Sequence, residues 1–287
     1  MGGSTDIRKK LLGDTSRYER VLSAHGRRLA KKYSDSELSR EFLAMGHKFI
    51  SMGPMSLCDS VLSDLGMEAP DSLLAGIGLM AFHISTHDDI VDETPSEKSK
   101  IAALLYSGNI ALIEGLKLMD REVYREASRA ALQKISTNHY MQQKVAEILW
   151  KKKVPSKSEY FRGIRHIISW TSIGPFAALA YSKRLEYSKR LGVFCENYGL
   201  SIQFMDDMSE IDEDIRNGYW SLPIIAAKGR NADLRDDMDA RNELIEELKS
   251  SASNRISKAK AALPRGWNST IDKADRLIDY ISGFKYG

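Results

Sequence analysis

Cysteine is almost missing from this chain: two occur among 287 residues, Cys58 and Cys195, neither with a partner at metal or redox spacing. Both sit in apolar helical contexts and read as reduced residues in or near a core. Proline is scarce as well, with 7, and the 20 glycines are no more than ordinary usage. No Pro/Gly/Ser-rich stretch is long enough to be a linker, so residues 1–287 are read as one domain. Alternating Val/Ile runs bounded by turn signals are nearly absent, which removes a β architecture. The formal charge of +3 is small and the bases are scattered rather than interleaved with aromatics, so no nucleic-acid partner is expected. The longest apolar run, Leu73 to Ile84, is too short to span a bilayer and is interrupted by glycine and histidine, so no transmembrane segment is expected. The polar start, Met1-Gly2-Gly3-Ser4-Thr5-Asp6, lacks the apolar region of a signal peptide, and a cytoplasmic location is the expectation.

What fills the chain instead is apolar residues recurring at three and four positions, the period of amphipathic helices. The reading is all-α: a single-domain helical bundle around a central apolar cavity. Helices are expected near 5–32, 36–50, 54–65, 71–93, 98–117, 120–135, 138–152, 157–182, 186–217, 221–228, 232–262 and 266–284. Thr94-Pro95, Val154-Pro155-Ser156 and Pro264-Arg265-Gly266 are among the breakers, and Asn217-Gly218 reads as a helix C-cap. Local basic clusters, such as Arg27, Arg28, Lys31 and Lys32, read as solvated helix faces.

Two acidic segments stand apart. The first, His87-Asp88-Asp89-Ile90-Val91-Asp92-Glu93, ends a helix with a strongly apolar body (Leu79, Met80, Phe82, Ile84). Asp88 and Asp92 share one helical face with Asp89 beside them, so their charges repel. They also crowd a helix C-terminus, where the dipole already disfavours negative charge. Along the chain no base follows until Lys98. The second segment is Gln203-Phe204-Met205-Asp206-Asp207-Met208-Ser209-Glu210-Ile211-Asp212-Glu213-Asp214. On a continuous helix Asp206, Glu210 and Asp214 form one stripe, and six acids precede the first base, Arg216. An EF-hand loop is ruled out, because its alternating acids followed by glycine are not there. Oxygen ligands without a His or Cys cluster select a hard cation. Magnesium suits, since it takes one or two carboxylates and completes its shell with water and phosphate oxygens. The expected metal ligands are Asp88, Asp89, Asp92, Asp206, Asp207, Glu210 and Asp214. Several such ions around one diphosphate would neutralise the charge of a leaving group.

With these two segments in an all-α chain of this length, the sequence resembles the trans-prenyl diphosphate synthases, over roughly residues 40 to 230. His87-Asp88-Asp89-Ile90-Val91-Asp92-Glu93 looks like that family's first aspartate-rich motif, and Gln203-Phe204-Met205-Asp206-Asp207 like the start of its second. Asp214-Ile215-Arg216-Asn217-Gly218-Tyr219-Trp220-Ser221-Leu222-Pro223 is similar to the segment that follows, with Tyr219 where the family usually has lysine. The resemblance implies a class I isoprenoid synthase fold, a prenyl diphosphate as substrate, catalytic Asp88, Asp89, Asp92, Asp206 and Asp207, and a homodimer. Lys48, Arg165, Arg216 and Tyr219 are candidates for the diphosphate. Phe82, Trp170, Thr171, Phe176, Gln203 and Phe204 are candidates for the cavity wall. Small residues before the first motif, Ala75, Gly76 and Gly78, point to a deep pocket and a long chain.

The departures fall on the acceptor side. Where the family holds isopentenyl diphosphate with Gly-Gly-Lys-Arg-x-Arg-Pro, this chain has Gly46-His47-Lys48-Phe49-Ile50-Ser51 and keeps Lys48. Glu97-Lys98 stands in place of an Arg-Arg pair, and Trp170-Thr171 in place of Lys-Thr. Each lost charge-assisted contact is worth about 1.5–3 kcal/mol. Three readings follow. The first is an atypical prenyltransferase with a different acceptor. The second is a terpene synthase whose cation attacks its own chain, with Arg165 as diphosphate sensor. The third is a catalytically silent regulatory subunit, against which the two retained acidic patches argue.

Overall fold

The computed structural model describes residues 10–34, 36–92, 98–149, 154–230 and 232–284; the side chains of residues 36, 91, 92, 142–149 and 165–167 fall outside that description. Every regular element among the described residues is helical. From Ser16 onward they are α1 (Ser16–Lys32), α2 (Ser36–Ala44), α3 (Phe49–Asp64), α4 (Asp71–Asp92), α5 (Lys98–Leu118), α6 (Arg125–Leu149), α7 (Lys157–Gly163), α8 (Arg165–Ser182), α9 (Ser188–Ser209), α10 (Ile211–Asn217), α11 (Leu222–Arg230), α12 (Met238–Ala262) and α13 (Asn268–Gly283).

The middle of the bundle is α3, α4, α8 and α9. Along α4 the residues Leu73, Leu74, Ile77, Leu79, Met80 and Phe82 are all fully buried, the all-round burial of a central helix. Outside this core α5 runs along α4, α6 along α8, and α12 along α9, while α13 closes against both α3 and α12. Glycine lets the central pairs approach. A side chain at Gly174 in α8 would put its Cβ 1.8 Å from the carbonyl oxygen of Pro54 in α3. One at Gly108 in α5 would lie 2.0 Å from Thr86 Oγ1 in α4.

Gly76 and Gly78, expected to open a deep pocket, are used in the same way. A Cβ at Gly76 would meet Met119 at 2.5 Å, and one at Gly78 would meet Met55 at 2.5 Å. The space these glycines leave is filled by neighbouring helices, so they carry no argument for a long substrate.

Several boundaries differ from the expected ones. α6 continues through residues 136 and 137, and the expected 157–182 helix is broken at Ile164. Pro54 lies inside α3, which starts at Phe49. Most consequential, the expected 186–217 helix turns at Glu210 (φ −110°, ψ 11°), so the second acidic stripe is divided between α9 and α10. Gly218 caps α10 in the left-handed region at φ 73°, as the Asn-Gly pair anticipates.

One described helix, α5, is long and apolar enough to cross a membrane by length and composition, although the run singled out in the sequence was in α4. Small residues line its buried side (Ala103, Ser107, Gly108, Ala111, Gly115). Tyr106 and Ile113 face outward, 59% and 51% exposed.

Candidate active site

The acidic ends of α4 and α9 lie within electrostatic reach of each other. The negative charge of Asp88, on the last turn of α4, is felt at Asp206, near the end of α9. Two acidic helix ends far apart in sequence are therefore near neighbours, as the crowding of their charges requires if one ligand is to serve both.

On the α4 side Asp88 and Asp89 are half-buried. A compensating cation comes from the residue just ahead of α3: Lys48 Nζ forms an ion pair with Asp89 Oδ2. Its side chain and that of Asp89 are 24% and 22% exposed. Glu41 of α2 stands beside this pair. Burial raises its carboxyl above the ordinary range, Lys48 opposes that, and Asp89 adds to it. Asp92 falls within the helix but outside the described side chains, as does Arg165.

On the α9 side the acids divide by orientation. Asp206 and Glu210 are exposed, whereas Asp207 and Asp214 are buried. Asp207 has its oxygens occupied by protein donors. Tyr160 Oη of α7 donates to Oδ2, as does the backbone N–H of Leu222 at 3.2 Å, and Gln203 Nε2 donates to Oδ1 at 3.0 Å. Desolvation pushes its carboxyl up to about 6, and the Tyr160 and Gln203 hydrogen bonds hold it from going further. Asp214 also rises to about 6 through desolvation, opposed by the hydroxyl of Ser221. At Asp206 desolvation, then the charges of Glu210, Asp207, Asp88 and Asp214, push the carboxyl well above the usual range. Because this residue keeps an open face, the crowding of like charge is the part that a bound cation relieves.

The chemistry of these oxygens fits magnesium. Asp88, Asp89, Asp206 and Glu210 present carboxylates from two facing ends, and a lysine already sits on one of them as a cation. Among the described residues no three acidic or imidazole groups close into a complete cage. An ion here would draw the rest of its shell from water and ligand, which is how magnesium is usually held. Asp207 would have to give up three hydrogen bonds to join, and it is better placed as the hub tying α9 to α7 and to the start of α11.

The expected cavity residues are mostly committed to packing between helices. Trp170 is 3% exposed. Its indole Nε1 donates to the Ile50 carbonyl at 2.9 Å, and its ring closes over Gly53. Thr171 Oγ1 donates to the Cys195 carbonyl at 3.1 Å, joining α8 to α9. Phe82 and Phe204 are buried, with Phe161 edge-on to Phe204 and the Arg255 guanidinium 5.9 Å from its ring. Phe176 is half-buried and carries Lys134 Nζ 3.9 Å from its ring centre. Beyond the second acidic end, Arg216 is exposed and bonds the Asp212 carbonyl at 3.3 Å, and half-buried Tyr219 follows the Gly218 cap. Two open hollows lie elsewhere. One of about 520 Å³ borders Asp233 to Asp239, and one of about 490 Å³ borders Tyr18, Asp59 and Lys273.

The fold also assembles a histidine cluster that the sequence reading did not anticipate. His83 and His87 of α4 and His139 of α6 meet edge to face, with ring centres 4.5, 4.8 and 5.0 Å apart. His83 Nε2 lies 2.9 Å from His139 Nε2. Burial first, then the other two rings, push His83 down to about 3, and burial also lowers His87 and His139. The spacing of His83 and His87 was visible in the sequence, but only the packing of α6 on α4 brings His139 to them.

This architecture, an all-α bundle in which two apolar helices end in facing acidic turns, is the fold of the trans-prenyl diphosphate synthases. In particular, the chain is similar to a geranylgeranyl pyrophosphate synthetase from the archaeon Geoglobus acetivorans, with TM-score 0.72, 17% identity, and 96% of this chain and 99% of that one covered. It is similar also to a decaprenyl diphosphate synthase from Rhodobacter capsulatus, with TM-score 0.71, 15% identity and coverage of 95% and 99%. A heptaprenyl diphosphate synthase from Staphylococcus aureus aligns at TM-score 0.60 and 19% identity, over 96% and 98% of the two chains. At such identities the likeness is one of fold. No protein-family model and no curated protein matches the chain.

Proposed function

We propose that this protein is a magnesium-dependent prenyltransferase that ionises an allylic prenyl diphosphate and passes the prenyl cation to an acceptor. What carries this reading is that the two acidic ends lie within electrostatic reach of each other, Asp88 acting on Asp206, each at the end of a helix with a buried apolar body. Magnesium bound there supplies Lewis-acid stabilisation of the departing diphosphate. Asp88, Asp89, Asp92, Asp206 and Glu210 are the residues to hold it. Asp207 and Asp214 act beneath them: Asp207 fixes α7, α9 and α11 relative to one another, and Asp214 is buried on α10. Arg165, Arg216 and Tyr219 are assigned to the diphosphate. Buried Phe82 and Phe204 belong to the apolar interior that keeps water from a cation. The exposed apolar face of α5 is assigned to a homodimer contact.

The missing acceptor-side bases favour an acceptor other than isopentenyl diphosphate, and they also keep a cyclase reading open. One assay separates the outcomes. Purified protein with magnesium is given geranyl, farnesyl or geranylgeranyl diphosphate, with and without isopentenyl diphosphate. Longer diphosphates formed only with the second substrate mean transfer to it, and prenylation of another added nucleophile means transfer elsewhere. Hydrocarbons or alcohols from one substrate mean cyclisation, and no turnover under any condition refutes the enzyme reading. Asp88→Asn and Asp206→Asn should each lower turnover at least about 100-fold while circular dichroism and melting temperature stay close to wild type. Wild-type rates in either variant would remove that residue from the mechanism.

A further inference from the structure

Lys48 and a divalent cation want the same oxygen. The ammonium of Lys48 already occupies Asp89 Oδ2. It reaches there from an extended residue (φ −81°, ψ 122°) just ahead of α3, with Glu41 alongside. A second positive centre on that carboxylate meets the first one's charge at close range, where repulsion is strong and only partly screened. Lysine is also the side chain most able to leave, being a point charge on a flexible four-carbon stem. A diphosphate at the mouth offers it an anion of higher charge than Asp89.

We propose that Lys48 is an exchangeable counter-ion: it keeps Asp89 from divalent cations until a diphosphate draws its ammonium away, so cation and diphosphate load together. The idea rests on the functional reading above, and deepens it by giving the site an order of assembly. By linkage, whatever factor the diphosphate adds to cation affinity, the cation adds to diphosphate affinity. The site is thereby kept from filling with cations alone, despite its crowded carboxylates.

The test reads cation binding, not turnover. Wild type, Lys48→Met and Lys48→Arg are titrated with Mn²⁺ alone, with free ion followed by electron paramagnetic resonance, and again with saturating inorganic pyrophosphate. Without pyrophosphate, Lys48→Met should bind Mn²⁺ about tenfold more tightly than wild type, the scale of one partly buried ion pair, and Lys48→Arg should match wild type. Pyrophosphate should raise the affinity of wild type by a larger factor than that of Lys48→Met. In the Lys48→Met background, Asp89→Asn should abolish the gain. An unchanged or weaker affinity in Lys48→Met overturns the proposal. The two readings fail differently. If Asp88→Asn and Asp206→Asn lose Mn²⁺ while Lys48→Met equals wild type, only the counter-ion role falls. If those two aspartate variants bind Mn²⁺ as wild type does, the acidic ends are not the cation site and the function built on them falls too.

Discussion

With no N–H at Pro54, the Ile50 carbonyl loses its partner one turn further along α3, and the indole of Trp170 supplies the replacement at 2.9 Å. From sequence the same tryptophan read as a candidate for a cavity wall, because an aromatic among apolar residues gives no sign of what its N–H will meet. Replacing it should expose the difference. Trp170→Phe keeps a ring but leaves the carbonyl without its donor, and should lower stability by about 1–3 kcal/mol in urea denaturation. A value near zero would return Trp170 to the list of dispensable packing residues. Lys48 shows the same limit of a linear reading. Both it and Asp89 were picked out, one for phosphate and one for metal, yet their pairing depends on how the start of α3 lies against the end of α4. The aspartates themselves were legible, since repulsion between neighbours on a helix is a local property. Which of them face outward was not, because the inward turn of Asp207 is decided by Tyr160 and Leu222.

Helix type was readable almost throughout, since the 3.6-residue period needs no tertiary information. Helix ends were less so. The break at Glu210 carries no proline or glycine, so nothing in the local sequence marks it. Pro54 misled in the other direction: read as a helix start, it lies within α3, where Trp170 of α8 makes up for what the ring removes, whereas Pro175 lies within α8 as the expected 157–182 helix has it. Crossings between helices are set by glycine, and a pair of substitutions tests this. Gly174→Ala would drive a methyl to 1.8 Å from the Pro54 oxygen, forcing α3 and α8 apart, and should cost about 3 kcal/mol. Gly229→Ala in α11 meets nothing within 4 Å and should be neutral or raise stability by up to about 1 kcal/mol. Thermal melts of the two variants should move in opposite directions or differ by several degrees; equal melting temperatures would refute the close-crossing account.

At the scale of the molecule, the fold class followed from what the chain lacks, but its outer surface did not. The apolar exterior of α5, with Tyr106 and Ile113 the most open of its large side chains, is the face assigned to a second copy, because a patch of that kind on a helix is commonly covered in an oligomer. Tyr106→Glu with Ile113→Glu should convert a dimer to a monomer by light scattering after size exclusion, and a dimer surviving both changes would place the contact elsewhere. A different bond governs how the bundle is completed. Asp64, at the end of α3, accepts the backbone N–H groups of Ser269 and Thr270, each at 2.8 Å, at the start of α13, and Ala274, Leu277 and Ile281 then seat in the core. A helix made early in translation thus waits on one 205 residues further along the chain. Until synthesis has passed α13, the Asp64 carboxylate is held by water alone and the flank of α3 that α13 covers stays open, so the bundle closes only once that helix has emerged.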